Sequence, residues 1–185
     1  MKNKSNAAYI LKISLTLLLI TAVVAALLAV VNMVTAPIIA KANEAKTQKA
    51  IEAVLPGGGE EIEFTDDTGL VSKVYASDTG YAVQVAPSGF DGEINMMVGI
   101  SKDGKVLGIS IISHTETAGL GAVAGADNAK GEAFRDQFIG MSGTLAVSKD
   151  GGEVDAITGA TITSRAVTEG VNAALECVAK LTEGG

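Results

Sequence analysis

The segment Asp155-Ala156-Ile157-Thr158-Gly159-Ala160-Thr161-Ile162-Thr163-Ser164 joins several hydroxyl side chains to two small residues, just ahead of an apolar helical pattern. The chemistry open to such a segment is anion capture. The first turn of a helix presents backbone N–H groups without intrahelical partners and a partial positive charge, which together seat a phosphate. Small residues at 159 and 160 let a bulky group approach the backbone, and Arg165 offers a cation nearby. The same residues also read as an N-cap after a Gly-Ala turn, and composition does not separate the two readings. The lysine and the spacing of a nucleotide P-loop are missing, which argues against an NTP site.

Few other side chains could do chemistry. The chain of 185 residues has one Cys and one His. A single Cys cannot close an internal disulfide or hold an iron–sulfur cluster, which takes about four thiolates. Cys177 adjoins an apolar helical stripe and reads as a buried thiol. His114 cannot form a metal site alone and reads as a loop or core histidine rather than a proton donor. No catalytic residue and no metal site is therefore assigned. With 21 acids against 14 bases and only 4% aromatic residues, the chain lacks the basic grooves and stacking platforms of a nucleic-acid binder.

The elements that must position the Thr-rich loop follow from periodicity. Short β-like segments at 60–64, 70–76, 80–86, 93–100 and 105–113 are punctuated by Gly69, Asp78-Thr79-Gly80, Ser88-Gly89 and Asp103-Gly104. The last two, joined across Lys102-Asp103-Gly104, form the clearest hairpin signal. Asp127 or Asn128 is expected to cap a helix carrying Ala133, Phe134, Phe138 and Ile139 on one face. A strand near 143–148 and a turn over 149–152 should follow. A final helix over 164–181 carries Val167, Val171, Ala174, Val178 and Leu181 at helical spacing. Strands interleaved with helices, without regular βαβ alternation, predict an α+β fold with a largely antiparallel sheet and flanking helices.

The N-terminal part is a different kind of sequence. Residues 13–31 carry no charge, and at about 1.5 Å per residue they make a helix of roughly 28 Å, the thickness of a hydrocarbon core. A cleaved signal peptide is the rival, but Pro37 would follow the Val34-Thr35-Ala36 cut, where its ring disfavours cleavage. A retained single transmembrane helix is expected. Lys2, Lys4 and Lys12 precede the span with no acid among them, which favours a cytoplasmic N-terminus. The expected division is a cytoplasmic tip at 1–12, a span at 13–35, a juxtamembrane helix at 36–56 stopped by Pro56 and the Gly57–Gly59 run, and an extracytoplasmic domain at 57–185.

At the Thr-rich loop the chain is similar to a known family. Asp155-x-x-Thr158-Gly159-Ala160-Thr161 resembles the flavinylation motif of the FMN-binding domain in the G subunit of Rnf-type electron transport complexes. The same domain occurs in the C subunit of sodium-translocating NADH:quinone reductases, and the length here favours the G subunit. The resemblance implies that Thr161 carries FMN through a phosphoester bond, within a cofactor-binding loop that includes Thr158, Gly159 and Ala160. It implies a separate magnesium-dependent flavin transferase acting after export, for which Asp155 would serve recognition. A phosphodiester there would face the positive end of the helix dipole.

A second matching stretch is His114-Thr115-Glu116-Thr117-Ala118-Gly119-Leu120-Gly121, which resembles the family's His-x-Glu-Thr-Pro-Gly-Leu-Gly with Ala118 in place of Pro. By this resemblance Glu116 and Thr117 hydrogen-bond the flavin or its phosphate side. Gly119 and Gly121 let the loop close on a flat ring, and Leu120 packs against it. Phe134-x-x-Gln137-Phe138 also matches and reads as helix core. In Gly80-Tyr81 and Gly89-Phe90-Asp91-Gly92, core or surface packing is favoured over contact with the ring. With so few aromatics, the ring is expected to lie on Leu120 and loop backbone rather than on Trp or Tyr.

The family implies an electron carrier in a complex that passes electrons between ferredoxin and NAD while moving Na+ or protons, with the other membrane subunits as partners. The chain would not be a complete enzyme alone. Two other readings stand beside it: an anchored flavin reductase domain serving an extracellular acceptor, and a non-redox anchored binding or sensor domain in which the Thr-rich loop is only a cap.

Overall fold

The computed structural model describes residues 2–64 and 68–183, with side chains from residue 9 onward. Met1, residues 65–67 and 184–185, and the side chains of Lys2 and Lys4 from the expected cytoplasmic tip lie outside the described residues. Two compact units are present, Met1–Ala45 and Lys46–Gly185.

Helix α1 runs over Lys2–Val54 with Pro37 inside it. From Tyr9 to Ile39 the large apolar side chains are exposed all round the helix, the pattern of a segment whose solvent is lipid. It is long and apolar enough to cross a membrane. Three of its threonine hydroxyls are satisfied within the helix. The hydroxyls of Thr16, Thr21 and Thr35 donate to the carbonyls of Lys12 (2.8 Å), Leu17 (3.0 Å) and Val31 (2.9 Å), as a hydrocarbon environment demands.

In the second unit five strands form one antiparallel sheet in sequential order: β1 (Glu60–Ile62), β2 (Val71–Ala76), β3 (Gly80–Val85), β4 (Asn95–Ser101) and β5 (Val106–Ser113). Each of the five expected segments forms, and Gly104 turns the β4–β5 hairpin with φ of 72°. The central strands β3 and β4 are buried on both faces, which explains why β4 reads as a nearly continuous apolar run. On one face Ala82 and Met97 are covered by Ala50, Ile51, Val54 and Leu55. Residues 46–55 thus belong to the compact unit of the sheet, because their apolar side chains have no other place to leave water.

The other face holds the main core. Val83, Val85, Met96 and Val98 pack there with Val167, Val171, Ala174 and Val178 of α3 (Thr161–Glu183). The apolar spacing of the last helix is thus its packing face, with Cys177 buried in the same core. Helix α2 (Ala129–Asp136) is capped by Asn128, whose Oδ1 accepts from the N–H groups of Lys130 (3.0 Å) and Gly131 (3.1 Å). Of the expected α2 face only Phe134 and Phe138 are buried, meeting edge to face at 5.6 Å, while Ile139 is exposed and both Phe138 and Ile139 lie beyond the helix end.

The strand expected near 143–148 does not form. The side chain of Asn172 takes both backbone groups of Leu145, accepting from its N–H at 2.8 Å and donating to its carbonyl at 2.8 Å. That leaves the segment without a ladder, and only Val147 makes an isolated bridge, to Val154. A single 3₁₀ turn, Ser148–Asp150, follows and is closed by Gly151 in the left-handed region.

Candidate functional site

The last helix begins at Thr161, earlier than periodicity suggests, because a buried serine extends it. Ser164 Oγ donates to the carbonyl of Ala160 (2.9 Å) and accepts from the N–H of Ile157 (2.9 Å). This clamp holds loop 157–160 against the helix and leaves Thr161 half-buried at its first position. Gly159 supplies the required turn with φ of 78°. A Cβ there would also sit only 3.1 Å from Leu120 Cδ2.

Thr161 lies in a cleft of about 290 Å³, at the small end of the range for ligand sites. Its walls combine three loops: Phe90 from the β3–β4 connection, Thr117, Leu120 and Gly121 after β5, and Gly159 to Thr163 at the head of α3. Of the residues expected in the site, Glu116, Thr117, Leu120, Gly121, Gly159, Ala160 and Thr161 are brought together here. Thr158, Gly119 and Asp155 are exposed and do not line it. The backbone of Asp155 is instead gripped by Gln137, which donates Nε2–H to its carbonyl (3.3 Å) and accepts its N–H (2.8 Å). Gln137, in a stretch that reads as helix core, therefore holds the start of the Thr-rich loop. The turn after Thr117 closes without proline, since the carbonyl of Thr117 accepts from the N–H groups of Leu120 (3.2 Å) and Ala122 (3.1 Å).

Glu116 is the knot that ties the three loops. It is buried, and its Oε1 accepts from the N–H groups of Phe90 (2.7 Å) and Asp91 (3.2 Å). Its Oε2 accepts from the hydroxyl of Thr163 at 2.5 Å. Gly89 and Gly121 make room for the carboxylate, because a Cβ at either would collide with one of its oxygens. Burial acts to raise the pKa of Glu116. The hydrogen bonds from Thr163, Asp91 and Phe90 and the nearby His114 together outweigh it, holding the group below the ordinary value of 4.5. A depressed pKa in the folded chain contributes stability above the unfolded value, and that contribution is lost as pH falls through the folded value. Acid titration of the full chain should therefore show a loss of stability beginning below pH 4.5 that Glu116→Gln does not share. Superimposable acid profiles for the two proteins would remove this linkage.

Sequence reasoning missed four residues of the site, one of them Ile162, an exposed residue that lines the cleft. Phe90, 67% exposed at the tip of a turn closed by Gly89 N–H to Gly92 carbonyl (2.7 Å), lines the cleft. An aromatic between glycines in an aromatic-poor chain was the available signal. Thr163 is buried beneath the cleft on Glu116. Lys149, from the 3₁₀ turn, donates from Nζ to Thr161 Oγ1 at 2.8 Å. Nothing in the local sequence points to that contact. Arg165 is committed to a fork on Asp150, with both bonds at 2.7 Å.

The donor set suits a flavin nucleotide. Thr161, the helix N-terminus and Lys149 form a polar, positive end for a phosphate, and Phe90, Leu120 and Ile162 supply apolar surface for a flat ring.

Residues 89–176 match the family model of the FMN-binding domain, and residues 1–54 match the RnfG N-terminal region. The chain is 34% identical to the G subunit of the Na(+)-translocating ferredoxin:NAD(+) oxidoreductase complex of Acetobacterium woodii, over 94% of each chain. The chain belongs to the G-subunit family of Rnf-type complexes. Another G subunit, that of the proton-translocating ferredoxin:NAD(+) oxidoreductase complex of Clostridium ljungdahlii, is 42% identical over 60% of this chain and 62% of its own length. In fold, this member of the G-subunit family is similar to the crystal structure of the C subunit of Na(+)-translocating NADH-quinone reductase from Parabacteroides distasonis. That match has a TM-score of 0.50 and 19% identity, covering 77% of this chain and 92% of the other. Both the family and the α+β fold read from the sequence are therefore borne out.

Proposed function

We propose that this G subunit is a single-pass membrane electron carrier whose FMN is joined to Thr161 by a phosphoester. The observation that carries the reading is the half-buried Thr161 hydroxyl, set at a helix N-terminus, in a cleft with apolar walls and in contact with the Lys149 ammonium. FMN supplies a centre that can take or give one or two electrons. The chain's own part is to hold it: Thr161 as the tether, Leu120, Phe90 and Ile162 as apolar walls, and Glu116 as the tie between the loops. Tethering replaces binding affinity with effective concentration, so a carrier outside the cytoplasm does not lose its cofactor by dissociation.

The covalent bond requires a flavin transferase, with exposed Asp155 as a recognition element. The carrier works beside other membrane subunits in a complex that couples electron transfer between ferredoxin and NAD to movement of Na+ or protons. Residues 13–35 span the membrane with 1–12 in the cytoplasm, and the FMN-binding domain lies on the extracytoplasmic side.

Intact-protein mass after co-expression with a flavin transferase tests the attachment. A gain equal to FMN minus water is expected, together with flavin fluorescence of the denatured band. No gain would sink the redox reading. Protease added to intact spheroplasts should digest the FMN-binding domain, and its full protection would reverse the orientation. Co-isolation with several membrane and iron–sulfur subunits supports a complex over a free-standing flavin reductase domain.

A further inference from the structure

We propose that Lys149 is a positioning residue for attachment, placing a positive charge on the phosphate that becomes bonded to Thr161. The inference rests on Thr161 as the attachment residue and adds a group outside the resembling motif. Lys149 Nζ stands 2.8 Å from Thr161 Oγ1, across twelve residues of chain. An ammonium with three rotatable donors on a flexible stem can hold that oxygen and a phosphate oxygen bonded next to it.

The turn that carries Lys149 is anchored on both sides. Ser148 donates its N–H to the carbonyl of Val154 (2.7 Å), and Asp150 donates its N–H to the carbonyl of Val147 (2.8 Å). Asp150 then forks onto Arg165, which lies four residues after Thr161 on α3. Carboxylate and guanidinium thereby register the turn against the same helix that bears the acceptor, with Lys149 next to the fork. Arg165 is occupied by Asp150, which leaves Lys149 as the cation the structure places on the Thr161 oxygen.

The chemistry gives that charge a purpose. FMN alone has no leaving group for this condensation, so the donor must be a flavin phosphoanhydride such as flavin adenine dinucleotide. The Oγ1–P bond forms, the bridging P–O bond on the flavin side breaks, and AMP leaves with the bridging oxygen. The hydroxyl proton passes to a base of the transferase or to water, and no electrons move. Charge gathers on the phosphate oxygens during transfer, where a preplaced cation acts most strongly. The need is greater because residues 13–185 hold 11 bases and 21 acids.

The experiment measures initial rates of flavin incorporation into the detergent-solubilised full chain, by intact mass, with purified flavin transferase, magnesium and flavin adenine dinucleotide. Lys149→Gln should slow incorporation roughly ten- to hundredfold with an unchanged melting temperature and the same final mass. Lys149→Arg should restore most of the rate. Added salt should slow the wild-type chain more than Lys149→Gln, because only the former has the charge to screen. Wild-type rates in Lys149→Gln, or a slow Lys149→Arg, would overturn the proposal while leaving Thr161 as the acceptor. Incorporation into Thr161→Ala, or none into the wild-type chain, would instead overturn the attachment reading and this proposal with it.

Discussion

Thr161→Ala is expected to abolish covalent flavin while the domain still folds. The loss should be complete because the other hydroxyls of the loop are unsuited to replace it. Thr158 is exposed and outside the cleft. Thr163 is buried and commits its hydroxyl to Glu116, and Ser164 is buried and clamps the loop backbone. Thr161 contributes little to stability: its side chain is half-buried and its cross-loop bond comes from an exposed lysine, so a change of about 0.5 kcal/mol or less is expected. Thr161→Ser keeps the oxygen and should keep flavin. Mass and in-gel fluorescence read the outcome, and covalent flavin on Thr161→Ala would show that another residue is the acceptor.

Glu116→Ala should carry the largest structural penalty in the site. It deletes the acceptor for two backbone N–H groups and one hydroxyl, joining residues 90–91, 116 and 163. Hydrogen bonds to a charged group contribute about 1.5–3 kcal/mol, and leaving buried donors unpaired adds a further cost. A net loss on the order of 3 kcal/mol is expected, or a fall in melting temperature of roughly 10 °C for a unit of this size. Glu116→Gln retains one acceptor oxygen but turns an N–H toward existing donors, so about half that loss is expected. Since the knot ties Phe90 to the head of α3, both of which line the cleft, flavin incorporation should also slow in both variants. A Glu116→Ala protein as stable as the wild-type chain, measured in the same detergent, would reduce the carboxylate to a bystander.

These two residues separate what was legible locally from what was not. Thr161 lies in a short motif, so its proposed role as the attachment position rests on resemblance without any long-range information. Spacing and composition left the same loop open between cap and site. Glu116 was also visible in a motif, but its bonds to Thr163, Phe90 and Asp91 were not. A carboxylate's partners depend on which loops converge, and a motif carries no record of that.

The same division runs through the fold. Strands and turns over 60–113 and the packing face of α3 follow from local periodicity, because pleat and helix repeat within a few residues. So does the apolar stretch of α1, whose length and lack of charge suit a bilayer whatever lies beyond it. Non-local bonding decided the rest. Asn172 claimed the backbone of Leu145 and prevented a strand, and residues 46–55 joined the sheet through the buried face of Ala82 and Met97. The turn at 148–150, registered by Asp150 on Arg165, carried Lys149 to Thr161. The amino-acid sequence by itself determined the long apolar helix, the strands along the chain and the place of Thr161 in the Thr-rich motif. Only the tertiary structure decided which charge meets that hydroxyl and which loops enclose it, since those contacts depend on packing between residues distant in the chain.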